Sequence, residues 1–465
     1  MIGTVRTALL LLTLTSVVKM ARLVEAKGYR LFEKLGRPRF VSAPMVDQSD
    51  LAFRLMVKQN GGDLAYTQML HARNFCRDKT YQRDCIDWHD YTCKPYGSFV
   101  EKESAESVDR NLIVQLAGDD PDILTRAGKL VQGDKNIEAV DLNLGCPQKI
   151  AKRGNYGAYL LQDTETVVKL LQTMVNTLDI PVTAKIRRLS TDEETVDLCQ
   201  RMEKIGVSMI TVHGRTVEQS KLFTGPCDWG VIKQVKEAVS IPVIANGGVQ
   251  CRQDALDCLD FTGADAVMSS EGLLENPKMF SIEGDEAFRE RFVSAQLNTV
   301  GEYLDLVRSY KLPSPLYQVV RSHLFKMLFR FMDAPVNRDL RQRMGNGDMA
   351  DMDSVLAVLN KRFAGIQGTP DEIPELIEKG MLGPTLWYYR HRDERAQNRV
   401  MSLPKKYPNF QGADAFMSLK VRNNEGSAML IPEEIDAKEK QRLLKIQLQL
   451  RQQQRKEAKA AASRQ

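Results

Sequence analysis

From Phe40 to Ser269 the sequence repeats one unit, a short apolar segment of strand length followed by a stretch with apolar positions at helical spacing. The strand-like segments are Phe40–Met45, Leu64–Gln68, Leu112–Ala117, Ala139–Asn143, Val182–Ile186, Met209–Val212, Val243–Asn246 and Ala266–Ser269. Helix-period stretches lie between them, at Asp50–Gln59, Thr164–Leu178, Thr191–Ile205, Trp229–Val239 and Arg252–Phe261. This alternation predicts an α/β chain closed into a (β/α)8 TIM barrel. A doubly wound open sheet is the runner-up, but it requires a glycine-rich dinucleotide loop after the first strand, and Pro44-Met-Val-Asp47 is not one. At 465 residues the chain has room for a barrel and appendages.

The flanks break the rhythm. Residues 1–37 form an N-terminal extension, 38–284 the barrel, 285–380 a small all-helical domain, and 381–465 an irregular segment with a basic, partly disordered tail. Within the extension, Ala8–Val18 is apolar with Arg6 ahead of it, like the core of a signal peptide. It is too short to span a bilayer, no small-x-small cleavage site follows Lys19, and Met20 is a plausible alternative start. Amphipathic helices are predicted at Glu286–Arg308, Pro315–Met332 and Met352–Phe363, carrying Arg289, Arg291, Arg308, Lys311, Arg321, His323, Lys326 and Arg330. Glu433–Gln465 reads as a solvated, partly helical tail with a basic excess.

The formal net charge of +5 permits a nucleic-acid partner without demanding one. The 8 cysteines lack any CxxC pair, and the cluster of Cys76, Cys85 and Cys93 with His71 and His89 has spacings that fit no compact zinc site. We read them as reduced thiols, with no metal site, in a chain resident in the cytoplasm. Nuclear residence stays open, and no stable membrane association is expected.

In a barrel, the C-terminal ends of the strands line the active-site mouth. Here those ends supply Pro44 and Met45, Gln68, Gln115, Asn143 with Cys146, Lys185 with Arg187, His213, Asn246-Gly-Gly248, and Ser270-Glu-Gly272. A barrel held by packing alone would also have polar tips, because they meet solvent, but that accounts poorly for the whole set. Two glycines after the seventh strand and a second short loop after the eighth suit the phosphate site such barrels form there. Lys185 can hold a phosphate or offset charge on a reduced flavin ring, and the amides Gln68 and Gln115 can bond its polar edge. At this level Cys146 can be nucleophile, acid or inert packing.

The segments Ser42-Ala-Pro-Met-Val-Asp-Gln-Ser-Asp-Leu-Ala-Phe-Arg54, Val114-Gln-Leu-Ala-Gly118, Asp141-Leu-Asn-Leu-Gly-Cys-Pro147, Gly154-Asn-Tyr-Gly-Ala158, Thr183-Ala-Lys-Ile-Arg187, Val212-His-Gly-Arg-Thr216 and Ala245-Asn-Gly-Gly248 resemble the tRNA-dihydrouridine synthase family, in the family's order. The run from Met268 to Pro277 is similar to the eukaryotic branch that acts on positions 16 and 17 of the tRNA D-loop. Many bacterial members have Gly-Arg where Ser270-Glu271 stands, which leaves the backbone of that loop as the dependable phosphate donor.

The resemblance implies an oxidoreductase that uses FMN to reduce the uracil C5=C6 bond of tRNA, with NADPH or NADH as electron donor. It carries the proton-donor role at C5 to Cys146, and uracil recognition to Asn143 and Arg187. FMN contacts pass to Pro44, Met45, Val46, Gln68, Gln115, Lys185, His213, Asn246, Gly247, Gly248, Ser270, Glu271 and Gly272, with Met45 touching the ring through its backbone. Lys149, Lys152 and Arg153, beside Cys146, are candidate contacts to tRNA phosphates. No separate nicotinamide fold is visible, so NADPH and tRNA are expected to use the same flavin face in turn. A monomer is expected. The alternatives are a flavin barrel acting on a small molecule, which the basic helices and tail disfavour, and a non-catalytic RNA-binding protein, which the intact Cys146, Lys185 and His213 set disfavours.

Overall fold

The computed structural model describes residues 28–83, 109–134, 136–220, 224–309 and 317–390. The apolar N-terminal segment, Cys85, His89, Cys93, Lys311 and the basic tail lie outside the described residues. The described residues divide between two compact units, one drawn from 28–217 and 229–388, the other from 218–228 and 389–390. In the second unit Gln219 Nε2 donates to the Pro226 carbonyl (3.2 Å). The barrel and the helices that follow it belong to the first.

Eight parallel strands close in chain order: β1 Phe40–Ser42, β2 Leu64–His71, β3 Leu112–Ala117, β4 Ile137–Leu144, β5 Val182–Arg187, β6 Met209–His213, β7 Val243–Asn246 and β8 Ala266–Ser269. β1 pairs with β8 through Phe40–Val267, Val41–Met268 and Ser42–Ser269, so the sheet has no edge. The strands are buried on both faces, as parallel barrel strands must be. Their helices start at side-chain caps. Asp50 accepts from Phe53 N ahead of Leu51–Gln59, Asp120 caps Pro121–Val131, and Thr191 and Glu194 form a reciprocal capping box on Asp192–Lys204.

Alternation along each strand sorts the side chains. Val140, Leu142 and Leu144, like Ala184 and Ile186, face the helices in the main core. The opposite parity forms a separate inner cluster, with Val41, Leu64, Ile113, Ala139, Met209, Ile244 and Ala266 at its base. Leu31, Phe32 and Leu35 join that cluster, so the helix Arg30–Lys34, within the segment read from sequence as the N-terminal extension, plugs the barrel's N-terminal mouth. Tyr29 is tied down beside it, its hydroxyl bonded to Asp265 and Lys236 (2.7 Å each).

Five strands depart from the predicted bounds: β4 starts two residues earlier and ends one later, β5 and β6 each run one residue further, and the two larger departures have a local cause. β1 stops at Ser42, because Pro44 has no N–H to continue the ladder and the chain turns there. β2 continues to His71 through a bulge, in which Thr67 and Gln68 fall between the Tyr66–Ile113 and Met69–Gln115 pairs. Gln68 is therefore a mid-strand residue that the bulge re-aims.

After β8 the chain is helical. The first two predicted helices are each broken in two. Ile282–Glu290 and Phe292–Ser309 meet at Arg291, which leaves the helical region at φ −150 and ψ 57. Tyr317–Met327 and Phe329–Met332 meet at Leu328. These helices pack directly on the barrel. His323 Nε2 contacts Asp50 Oδ1 at 2.7 Å and its ring stacks on Phe53, while Gln296 Nε2 reaches the Glu275 and Met327 carbonyls. His323 and Arg330, two of the basic residues carried by these amphipathic helices, are buried, and Arg330 Nε is bonded to the Gly383 carbonyl (3.0 Å). No helix among the described residues is long and apolar enough to cross a membrane.

Candidate active site

Above the apolar base the inner face of the barrel turns polar, and it does so by parity. Ala139 is followed on the same face by Asp141 and Asn143, Met209 by Thr211 and His213, and Ile244 by Asn246. On β5 the same face carries Thr183, Lys185 and Arg187. The register sets Asn143 beside Lys185, and His213 beside both Arg187 and Asn246. The predicted residues of β3 to β7 are thus gathered on one inner wall.

Cys146 lies just past the end of β4 and is held at both backbone atoms. Its N–H donates to Asn143 Oδ1 (3.0 Å) and its carbonyl accepts from Ala158 N (3.1 Å). Burial raises the thiol above the ordinary cysteine value, outweighing the Gln148 N–H, Arg187 and Lys185, which pull it down. The sulfur is therefore a protonated, half-buried thiol at neutral pH.

Around it the polar groups are firmly placed. Lys185 Nζ donates to Asn246 Oδ1 (2.8 Å), and Asn246 Nδ2 donates to the Met268 carbonyl (2.9 Å). Arg187 binds the Gly145 and Thr216 carbonyls (2.8 Å each), linking the loops after β4 and β6. Arg215 Nη1 lies 3.3 Å from His213 Nε2. Asp141, at the centre of the barrel, is wholly buried. Burial pushes its carboxyl up to about 6, against the hydrogen bonds from Gln115 and Thr183 and the charge of Lys185.

The loops after β7 and β8 are stitched together. Gly247 and Gly248 both take positive φ, 105° and 80°, which a side chain would strain. The Gly247 carbonyl accepts from Trp229 Nε1 (2.9 Å), and Ser269 Oγ donates to the Val249 carbonyl (2.9 Å). A Cβ on Gly272 would lie 2.8 Å from that carbonyl, so only glycine lets the two loops meet. Ser270 and Glu271 are half-buried at this junction, and the Ser270 side chain does not cap the short helix that follows.

The family model described as Dihydrouridine synthase (Dus) matches residues 41–363, which takes in every residue of the wall and loops just described. The chain belongs to the dihydrouridine synthase family. It is 40% identical to a mouse protein named tRNA-dihydrouridine(16/17) synthase, NAD(P)+-like, over 319 residues, which are 68% of this chain and 61% of the mouse protein. It is 38% identical over 319 residues to the Saccharomyces cerevisiae tRNA-dihydrouridine(16/17) synthase, covering 68% of this chain and 71% of that one. With the Schizosaccharomyces pombe protein of the same name it shares 32% over 394 residues, 82% of this chain and 94% of that one. The matched region spans less than two thirds of the mouse and rat relatives, 61% and 66%.

Not every predicted site residue of this dihydrouridine synthase family chain converges on the inner wall. Both backbone groups of Met45 are engaged locally, its N–H with Ser49 Oγ (2.9 Å) and its carbonyl with the Gln48 and Ser49 amides. Val46 is exposed, and Gln68 Oε1 accepts from Asp47 N (3.1 Å), tying β2 to this same turn after Pro44. Lys149, Lys152 and Arg153 are exposed on the short helix that follows Cys146, with Lys152 Nζ 5.7 Å from the centre of the Tyr159 ring. Sequence reasoning gave no role to Asp141, Thr183 or Gly157. Asp141 and Thr183 were findable by parity, since each stands two residues before a predicted site residue on the same strand. Gly157 has φ +68, and a Cβ there would lie 2.8 Å from the Cys146 carbonyl oxygen and 3.0 Å from its Cβ. Nothing short of the packing reveals that proximity.

Proposed function

We propose that this protein reduces uridine to dihydrouridine in the tRNA D-loop, at positions 16/17 as the names of its relatives indicate, with FMN as cofactor and NADPH or NADH as reductant. The observation that carries the reading is Cys146, a thiol kept protonated by burial and fixed beside a wall of hydrogen-bonding groups that includes Lys185 and Asn143.

The residues present fit FMN. A phosphate needs closely approaching backbone, and the Gly247–Gly248 turn packed on the Gly272 loop offers it. A flavin ring needs donors and a cation along its polar edge, and Gln115, Lys185 and His213 stand on β3, β5 and β6 of the same inner wall. Bound and reduced at these residues, FMN would supply the hydride for uracil C6. The protein then needs a proton for C5, and Cys146 can give one without first being a thiolate. Asn143 and Arg187 border the same loop and suit the polar edge of the base. A base inside a folded D-loop must leave its stack to reach this wall, and Lys149, Lys152 and Arg153 stand on the outer surface where tRNA phosphates would pass.

The test is to incubate purified full-length protein with an unmodified tRNA transcript and NADPH, then map dihydrouridine by mass spectrometry. Dihydrouridine at positions 16 or 17, from protein with a flavin absorption spectrum, is the expected result. Colourless protein, or reduction only of free pyrimidines, overturns it. Two further results are expected. Replacing Lys149, Lys152 and Arg153 together by alanine weakens tRNA binding at low salt and flattens its salt dependence by about one log–log slope unit for each phosphate no longer neutralised. An unchanged slope removes this helix from the interface. Gly157→Ala pushes on the Cys146 backbone and lowers single-turnover reduction by about 10–10²-fold, more than it changes tRNA affinity.

A further inference from the structure

We infer that Asp141 is a positioning residue: through Gln115 and Asn143, its carboxylate fixes where the Cys146 backbone, and with it the thiol, stands. The inference rests on reading Cys146 as the proton donor. The four groups form one chain of hydrogen bonds with a single polarity. Asp141 Oδ2 accepts from Gln115 Nε2 (2.8 Å), which leaves Gln115 Oε1 at the other end of that amide. Gln115 Oε1 accepts from Asn143 Nδ2 (2.6 Å), which leaves Asn143 Oδ1 to accept the N–H groups of Gly145 (3.2 Å) and Cys146 (3.0 Å).

Neither amide can turn over alone. A reversed Gln115 would set its NH2 against the NH2 of Asn143, and its oxygen against a carboxylate. Backbone N–H groups fix the polarity at the Cys146 end, and Asp141, which only accepts when ionised, fixes it at the other. Thr183 Oγ1 holds the second carboxylate oxygen (2.7 Å). Asp141, Gln115 and Asn143 are all buried, so solvent does not stand in for a missing partner. The other titratable or charged groups that act on Asp141 are Lys185 from β5 and Tyr66 from β2, while Gln115 on β3 and Thr183 on β5 are neutral.

The experiment follows the rate at which iodoacetamide alkylates Cys146 in the full-length protein, mapped by mass spectrometry, alongside kcat and KM for tRNA. Asp141→Leu removes the acceptor. Cys146 alkylation is expected to rise several-fold and kcat to fall on the order of tenfold, with KM for tRNA little changed. Asp141→Asn can keep an oxygen toward Gln115 by turning its NH2 to Thr183, whose hydroxyl rotates to accept, so it is expected to stay close to wild type. Adding Thr183→Val removes that acceptor and should bring the fast alkylation back at unchanged charge. If Asp141→Leu does not fold, Asp141→Asn with and without Thr183→Val still decides the matter. Alkylation unchanged in the double variant, or equally fast in Asp141→Asn alone, overturns the inference. If the alkylation pattern holds but Cys146→Ala turns over normally, the proton-donor reading has failed and the positioning has not.

Discussion

Cys146→Ala is expected to slow uracil reduction by about 10²–10⁴-fold, the usual range for a lost general acid, while flavin content and tRNA affinity stay within a few-fold of wild type. The separation follows from how the residue is held. The tethers that place the loop, Cys146 N–H to Asn143 and Cys146 carbonyl to Ala158, are backbone bonds that alanine keeps. What disappears is the acidic hydrogen. Cys146→Ser restores the shape but not the acidity, since an alcohol gives up its proton far less readily than a thiol, and it should remain slow. Single-turnover rates with pre-reduced enzyme are the measurement. A rate for Cys146→Ala within a few-fold of wild type would assign the proton to another donor or to water.

The largest effect on stability is expected at Asp109. Arg54 is among the largest fully buried side chains of the protein, and both its Nε (3.0 Å) and Nη2 (2.6 Å) bind one oxygen of Asp109. Lys58 Nζ binds the other oxygen at 2.5 Å, and Arg54 Nη1 reaches the Ser49 carbonyl at 2.6 Å. Burial alone would raise the Asp109 carboxyl, but Arg54 and Lys58 outweigh it and hold it below the ordinary carboxylate range. Asp109→Ala leaves a guanidinium buried without its counter-ion and is expected to cost about 3–5 kcal/mol, read from urea unfolding. Arg54→Met with Asp109→Leu should recover part of that loss, because an apolar pair replaces the buried guanidinium and carboxylate and only Lys58 is left to turn to solvent. A loss below about 1 kcal/mol in Asp109→Ala would show that the cluster relaxes or admits water. Because the folded value is depressed, this contribution is present at pH above the unfolded value of about 4 and is lost as the pH falls through the folded one. Asp109→Ala should therefore flatten the acid limb of stability against pH.

The barrel was legible because its signal is periodic and repeated. Short apolar segments and the helical spacing between them place all eight strands, with the bounds off by one or two residues at β4, β5 and β6 and by more where a local device intervenes, Pro44 at the end of β1 and the bulge at Thr67–Gln68. The wall of site residues was legible for the same reason, since strand ends point to one mouth. Groups that serve the site by touching protein were not legible. Asp141 reads as one more acidic residue until Gln115 is seen across the strand gap, and Gly157 as one more turn until Cys146 is seen 2.8 Å from where its Cβ would be. His323 and Arg330 misled in the opposite direction. Cationic residues on an amphipathic helix normally face water, and only tertiary packing against Asp50 and Gly383 turned these two inward.

The closure of β1 on β8 has a consequence in time. While the chain is being synthesised, Phe40–Ser42 must wait for Val267–Ser269, a delay on the order of tens of seconds at about 5–20 residues per second. The Asp50 carboxylate, buried beneath the later helices, waits longer still for His323. Until β8 is made the nascent barrel carries an open strand, and until His323 is made the Asp50 carboxylate lacks its imidazole partner. Fragments ending before the C-terminal helices are expected to depend on chaperones and to aggregate through the barrel surface that those helices cover, although every residue of the candidate site has by then been made.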